Sequence, residues 1–207
     1  MLFPEKVLEG GEYVFLKPDV SEEEFWELAN EDSNFELVDG VLMIHSPASK
    51  EHEEIFLYLS KILGFFLEET NQGQLFGSRF VMRLSEKWNP EPDIMIITPS
   101  NYNNIKENMY DGPANIVIEI LSKSTKEIDL NKKLPKYLEA GVEEVWIIDP
   151  FERSIKIHSK EKVNSWVDVK SDDKIKSKVL LDVPLKVKWL WNRTDYPANE
   201  VIKEFLK

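Results

Sequence analysis

The sequence predicts an α/β fold, a central mixed sheet flanked by helices, and three observations predict it. Apolar residues at helical spacing run from Ser49 to about Glu69. Short buried runs at Ile94–Ile97, Ile116–Leu121 and Val145–Ile148 have the length of strands, and a helical stretch separates the last two. A helical crossover between neighbouring strands implies a parallel pair with helices packed on the sheet. The chain has 207 residues, 42% of them hydrophobic, which is enough for a large core. The expectation is one domain, 1–207, with its core at about 34–150 and peripheral additions at 1–33 and 151–207.

The elements follow in order. Ser21-Glu22-Glu23-Glu24 reads as a capping box, with Ser at the N-cap and Glu three residues on, opening a helix through Phe25, Trp26 and Leu28. Phe35–Val38 and Val41–His45 are two apolar runs joined at Asp39-Gly40, a strong hairpin signal because a tight primed turn needs positive φ. Helix and hairpin together form an N-terminal addition. In the long helix, Ile55, Phe56, Leu59, Ile62, Leu63, Phe66 and Leu67 recur in steps of three and four. A strand with Phe80, Met82 and Leu84 on one side comes next. The stretch from about Glu127 to Ala140 ends at Gly141, a good residue just past a helix C-terminus. Pro135 lies inside it and predicts a kink or a fresh helix start. Ser154–Ser159 and Trp166–Val169 read as peripheral strands, and Asn199–Lys207 as a terminal helix. Leu185–Trp191 alternates like a strand with Leu185, Val187, Trp189 and Trp191 on one face; if that face is unpacked it predicts self-association, hence a homodimer.

Composition narrows the function. There are no cysteines, which excludes a disulfide framework, a thiolate zinc site and a cysteine nucleophile. No run approaches the roughly 18 apolar residues of a membrane span, and Met1–Lys6 has no signal-peptide core, so a cytoplasmic protein without membrane partners is expected. The net charge of −12 counts against tight, sequence-independent DNA binding, although metal-binding acids also lower it.

The chemistry concentrates in two strands. Asp93 follows Pro92 at the start of one, and Glu119 lies late in the next, within an otherwise apolar run. A carboxylate there is costly to bury unless paired, protonated or bound to a cation. Asp93, Glu119 and the carbonyl of Ile120 would make an oxygen-rich site suited to Mg²⁺ or Mn²⁺. Asp93 alone also reads as an ordinary strand-entry residue, and Glu36, alternating with Phe35 and Leu37, as a solvent-facing one. His52 shares a helical face with Ile55, Phe56 and Leu59; it could approach substrate phosphate or sit at the core edge. On the Asp129–Ala140 helix, Leu130, Leu134, Tyr137 and Leu138 share a face; Lys133 borders it whereas Lys132 points away.

The stretch from Phe35 to Pro150 resembles the Uma-type family of bacterial restriction-endonuclease-like proteins, a branch of the PD-(D/E)XK nuclease superfamily. The residues that carry the resemblance are Phe35–Gly40, His52, Glu91-Pro92-Asp93, Val117–Ser122 with Ser124-Thr125, Asp129, Lys133, Tyr137, and Ala140-Gly141-Val142 through Trp146–Pro150. The resemblance implies a restriction-endonuclease-like core with Asp93 and Glu119 as metal ligands and Glu36 as a third acidic contributor. Where the superfamily pattern has a Lys two residues after the Glu, this chain has Leu121; the resemblance implies that Lys133 substitutes.

The leading expectation is a Mg²⁺- or Mn²⁺-dependent endonuclease hydrolysing DNA, with Glu36, Asp93, Glu119 and Lys133 catalytic and His52 on the substrate. The alternatives are a catalytically degenerate module of the same fold that binds nucleic acid or protein, and a metal hydrolase for a small phosphoester.

Overall fold

A computed structural model describes residues 4–7, 13–29, 34–77, 79–159, 166–169 and 174–205. Local sequence accounts for most elements. Strands β1 (Pro4–Val7) and β2 (Tyr13–Lys17) precede helix α1 (Glu22–Leu28). Ser21 caps α1 by accepting from the Glu24 N–H at 3.1 Å, while the Glu24 carboxylate pairs with Lys17. The hairpin β3 (Phe35–Val38) and β4 (Val41–His45) turns at Asp39 and Gly40, with φ of 57° and 74°, as the Asp-Gly signal requires. Helix α2 (Lys50–Thr70) starts at Ser49, whose hydroxyl accepts from the His52 N–H, and ends at Asn71 in the left-handed region.

The sheet that positions the site comes next, from β5 (Gln74–Gly77), β6 (Val81–Arg83), β7 (Trp88–Asn89), β8 (Ile94–Ile97), β9 (Met109–Asp111), β10 (Ile116–Ile120), β11 (Glu144–Asp149), β12 (Ser154–Ser159) and β13 (Trp166–Val169). Among the described residues the central sheet has the order β13-β12-β11-β10-β8-β5. It is mixed: β10 and β11 are parallel, and the other neighbours antiparallel. The parallel pair falls where the helical crossover required it. A second, antiparallel sheet has the order β1-β2-β4-β3-β7.

The strand expected around Phe80–Leu84 does not join the central sheet. Its ordered part, β6, pairs with β9 in a separate parallel ribbon, and β5 takes the place beside β8. The entry beside β8 is close: a Cβ at Gly73 would lie 2.7 Å from the Ile97 carbonyl oxygen, so glycine suits the position where the chain enters.

Alternation along β8 and β10 sends the two faces to different partners. Ile94, Ile96, Ile116, Ile118 and Ile120 pack under α2 residues such as Ile55, Leu59 and Ile62. Met95, Ile97, Val117 and Leu121 pack under the crossover helix, with Tyr137, Leu130, Leu134 and Leu138. The C-terminal stretch completes the α2-side core through Leu185, Val187, Trp189 and Leu190. Here the sequence expectation needs correcting: Val187–Trp191 is a short helix (α5), not a strand. In a seven-residue apolar run, alternation and helical spacing overlap, and Val187 with Leu190 turn inward at a spacing of three. Leu185, Val187 and Trp189 are therefore covered by the chain's own core and present no free apolar strip. The final helix, α6, spans Ala198–Phe205; its expected end at Lys207 lies outside the described residues. No helix among the described residues is long and apolar enough to cross a membrane.

The crossover runs from α3 (Lys126–Ile128) through a π-helical stretch, Asp129–Lys133, into α4 (Leu134–Ala140). The Leu134 N–H bonds back to the Asp129 carbonyl five residues earlier, and a fresh α-helical start follows. Pro135 explains the boundary, because it has no N–H to continue the α-helical pattern. Gly141, with φ of 109°, closes the helix.

Candidate active site

The antiparallel register of β8 and β10 pairs Ile96 with Ile116 and Ile94 with Ile118. One step further it sets Asp93, just before β8, opposite Glu119, which lies on the face under the crossover helix. The two acids interlock: the Ile120 N–H donates to Asp93 Oδ2 at 2.7 Å, and the Asp93 N–H approaches Glu119 Oε2 at 3.4 Å. Ile120 and both acids line a cleft of about 280 Å³.

The hairpin supplies the third acid. The β3–β4 register puts Glu36 across from Met43, and His45, two residues on, shares that face. His45 Nε2 lies 2.7 Å from Glu36 Oε1, and the Glu91 N–H donates to Glu36 Oε2 at 3.3 Å. From the crossover comes Lys133, whose Nζ is 3.0 Å from Glu119, 3.1 Å from Glu36 and 3.3 Å from Asp129. The Tyr137 hydroxyl donates to Glu119 Oε1 at 2.7 Å. Thr125 donates to Asp129 at 2.7 Å and is itself 2.9 Å from Ser122 Oγ. His52, on the first turn of α2, has its Nε2 3.2 Å from Asp93 Oδ2. All the residues singled out from sequence, Glu36, His52, Asp93, Glu119, Ile120 and Lys133, thus meet in one place. The widened turn before Pro135 does not turn Lys133 away; it is 4% exposed, facing inward.

Sequence reasoning missed His45, and knew Glu91 only as part of a motif. It gave Tyr137 to the apolar face and Asp129 to the helix start. For His45 the signal was available, since the Asp-Gly turn fixes a register that places it diagonal to Glu36. For Tyr137 no periodicity distinguishes a hydroxyl on a carboxylate from one at a core edge.

Electrostatics gives the cluster its character. Burial alone would raise Glu36, but Lys133 and then His45 outweigh it and hold the carboxyl at about 2. Burial also dominates at Glu119; Lys133 opposes it, but Asp129, Asp93 and Glu36 add their repulsion, and this carboxyl lies above the usual range. Burial, then the charge of Glu36, pushes Glu91 to about 8. Burial disfavours charge on Lys133 as well, yet Glu119 and Glu36 keep it an ammonium, well above its ordinary value. Lys133 thus pairs with three of the five carboxyl groups gathered here, Glu36, Glu119 and Asp129, while Glu91 and Asp93 lie beside them; burial first, and then the mutual repulsion of these acids, raises Glu91 and Glu119.

This surplus of acids, with their hard oxygen donors, fits a divalent cation of the Mg²⁺ type. Among the described residues no three acids or imidazoles form a ready-made cage. Mg²⁺ does not need one, because it keeps several waters and binds through one or two carboxylates.

The mixed sheet, the helices on its two faces and the carboxylates across adjacent strands define a protein of the restriction-endonuclease-like α/β class. Within that class the chain belongs to the Uma2 family, described as "Putative restriction endonuclease", whose model matches residues 22–187. A solved structure described as a "putative nuclease belonging to DUF820", from Anabaena variabilis, has a similar fold with a TM-score of 0.73. The two sequences are 17% identical, and the match covers 84% of this chain and 98% of the other. A comparison with curated proteins gave no match.

Proposed function

We propose that this protein is a divalent-metal-dependent endonuclease that hydrolyses DNA phosphodiester bonds. The observation that carries the proposal is the convergence of Asp93, Glu119, Glu36 and a buried ammonium, Lys133, on one cleft. Family membership supports a nuclease-like activity. Asp93, Glu119 and the Ile120 carbonyl would hold Mg²⁺ or Mn²⁺, which when bound polarises a phosphoryl oxygen and makes bound water more acidic.

The chain's own residues take the other roles. In the reaction a water oxygen bonds to phosphorus, one P–O ester bond breaks, and the departing oxygen takes a proton. Negative charge grows on the phosphoryl oxygens, and Lys133 meets it as a fixed cation. Its persistence as an ammonium argues for charge stabilisation and against a role as general base. Glu36 and Asp129 hold Lys133 in place, and Tyr137 orients Glu119. His52 orients Asp93 through Nε2 and lines the cleft, where it would meet substrate.

The test is incubation of the purified protein with supercoiled, linear, single-stranded and branched DNA and either metal, beside Asp93→Ala and Lys133→Gln. Cleavage by wild type that disappears in Asp93→Ala is the expected result. If no DNA form is cut with either metal, the degenerate binding module replaces the enzyme.

A further inference from the structure

The hairpin brings a second polar side chain into the cleft besides Glu36, that of His45. Its backbone is fixed at the end of β4. His45 pairs with Val14 of β2, and the next N–H, of Ser46, donates to the Tyr13 carbonyl at 3.0 Å. The imidazole is 19% exposed, and its Nε2 lies 2.7 Å from Glu36 Oε1. Glu36 itself is 2% exposed; burial disfavours its charge, but Lys133 and then His45 keep it ionised. An ionised carboxylate only accepts, so Nε2 carries the proton and donates. The other oxygen, Oε2, meets Lys133 Nζ at 3.1 Å and the Glu91 N–H at 3.3 Å. His45 thus holds one end of a carboxylate whose other end holds the ammonium.

The last torsion of a glutamate is broad and roughly two-fold, so a carboxylate released at one end can turn. Lys133 would then be drawn toward Glu119 and Asp129, which stand 3.0 and 3.3 Å away. We infer that His45 is a positioning residue for the reaction: by donating to Glu36 Oε1 it aims Oε2 at Lys133 and so fixes the ammonium that meets the phosphoryl group. The side chain acts through Glu36 and touches none of the reacting atoms. The inference rests on the nuclease reading and names a further residue of that same site.

Two measurements test it. In the first, steady-state cleavage of the DNA form that wild type cuts best is followed with Mn²⁺ in His45→Asn and His45→Gln. The Gln amide nitrogen stands near the Nε2 position and can still donate to Glu36. The Asn amide stands near the Nδ1 position and falls short of it. His45→Asn should lose about ten-fold or more in kcat with KM within about two-fold, and His45→Gln should recover most of the loss. Unchanged kcat in His45→Asn, a loss carried by KM, or a loss that Gln does not repair overturns the inference while leaving the nuclease intact. No cleavage of any DNA by wild type overturns both. In the second, urea unfolding of His45→Asn, Lys133→Gln and the double variant gives a cycle that needs no turnover. Because Glu36 bridges the two side chains, the double variant's unfolding constant should depart from the product of the single effects by about three-fold or more. Independent effects overturn the inference.

Discussion

Two buried glutamates sit on the adjacent parallel strands β10 and β11, and they differ in company rather than in burial. Glu144 is 2% exposed and Glu119 is 3% exposed. Glu144 accepts from Trp146 Nε1 at 3.0 Å, from Ser177 Oγ at 2.8 Å and from the Lys178 N–H at 2.5 Å. Its neighbours are donors, and it ties the C-terminal segment to the sheet. Glu119 accepts from Tyr137 and Lys133 but is crowded by Asp129, Asp93 and Glu36, whose charges add to burial in keeping its carboxyl raised. A buried acid with neutral donors on every side is a structural clasp. A buried acid surrounded by other acids is a candidate functional group, since perturbed carboxyls cluster at such sites.

The comparison can be broken most forcefully at Lys133. Lys133→Ala leaves Glu36, Glu119 and Asp129 without their shared ammonium and should destabilise the protein by about 3–5 kcal/mol in urea unfolding. A loss below 1 kcal/mol would mean that the carboxylates are already protonated and the ion network is not what holds the crossover.

Next in size is Glu144→Ala, which strands three donors at a cost of about 2–4 kcal/mol. Its thermal response to Mn²⁺ should match that of wild type. If Mn²⁺ stabilisation vanished in this variant, the division between clasp and site would be wrong.

Metal itself sharpens the contrast. Mn²⁺ at about 100 times its Kd should stabilise wild type by about 2.7 kcal/mol, or roughly 5–10 °C in Tm. Asp93→Ala should show no such rise in differential scanning fluorimetry; an equal rise in both proteins would place the ion elsewhere.

Smallest in stability is Glu119→Gln. Removing one charge from a crowded cluster should change stability by less than about 1 kcal/mol, because repulsion lost offsets the weakened pairing with Lys133. Its hydrolytic rate should nevertheless drop by about 100-fold or more. A variant that kept wild-type turnover would remove Glu119 from the reaction.

Much of this arrangement was legible in the sequence. The Asp39-Gly40 turn, the cap at Ser21, the stripe of α2 and the buried runs of β8, β10 and β11 are local signals, carried by residues a few positions apart. The anomaly of an acid inside Ile116–Ile120 was visible too, because an apolar strand has no local reason to contain one. Leu185–Trp191 was misread because a short apolar run fits either period, and packing against the rest of the core chose the helix. The pairing of β5 rather than β6 with β8 brings residues far apart in the chain together, which no local pattern of side chains encodes.

By itself, then, the sequence determined the α/β class, the hairpin, the stripe of the long helix, and the one acid, Glu119, out of place in an apolar strand. It could not decide which residues share a charge. Only the tertiary structure brought the hairpin's Glu36 and the strand's Glu119 within ion-pairing distance of Lys133 on the crossover, and set Asp93 beside Glu119. The reason is physical: propensity and periodicity act over a few residues, whereas Coulomb interactions and burial depend on distances in space that only the assembled fold sets.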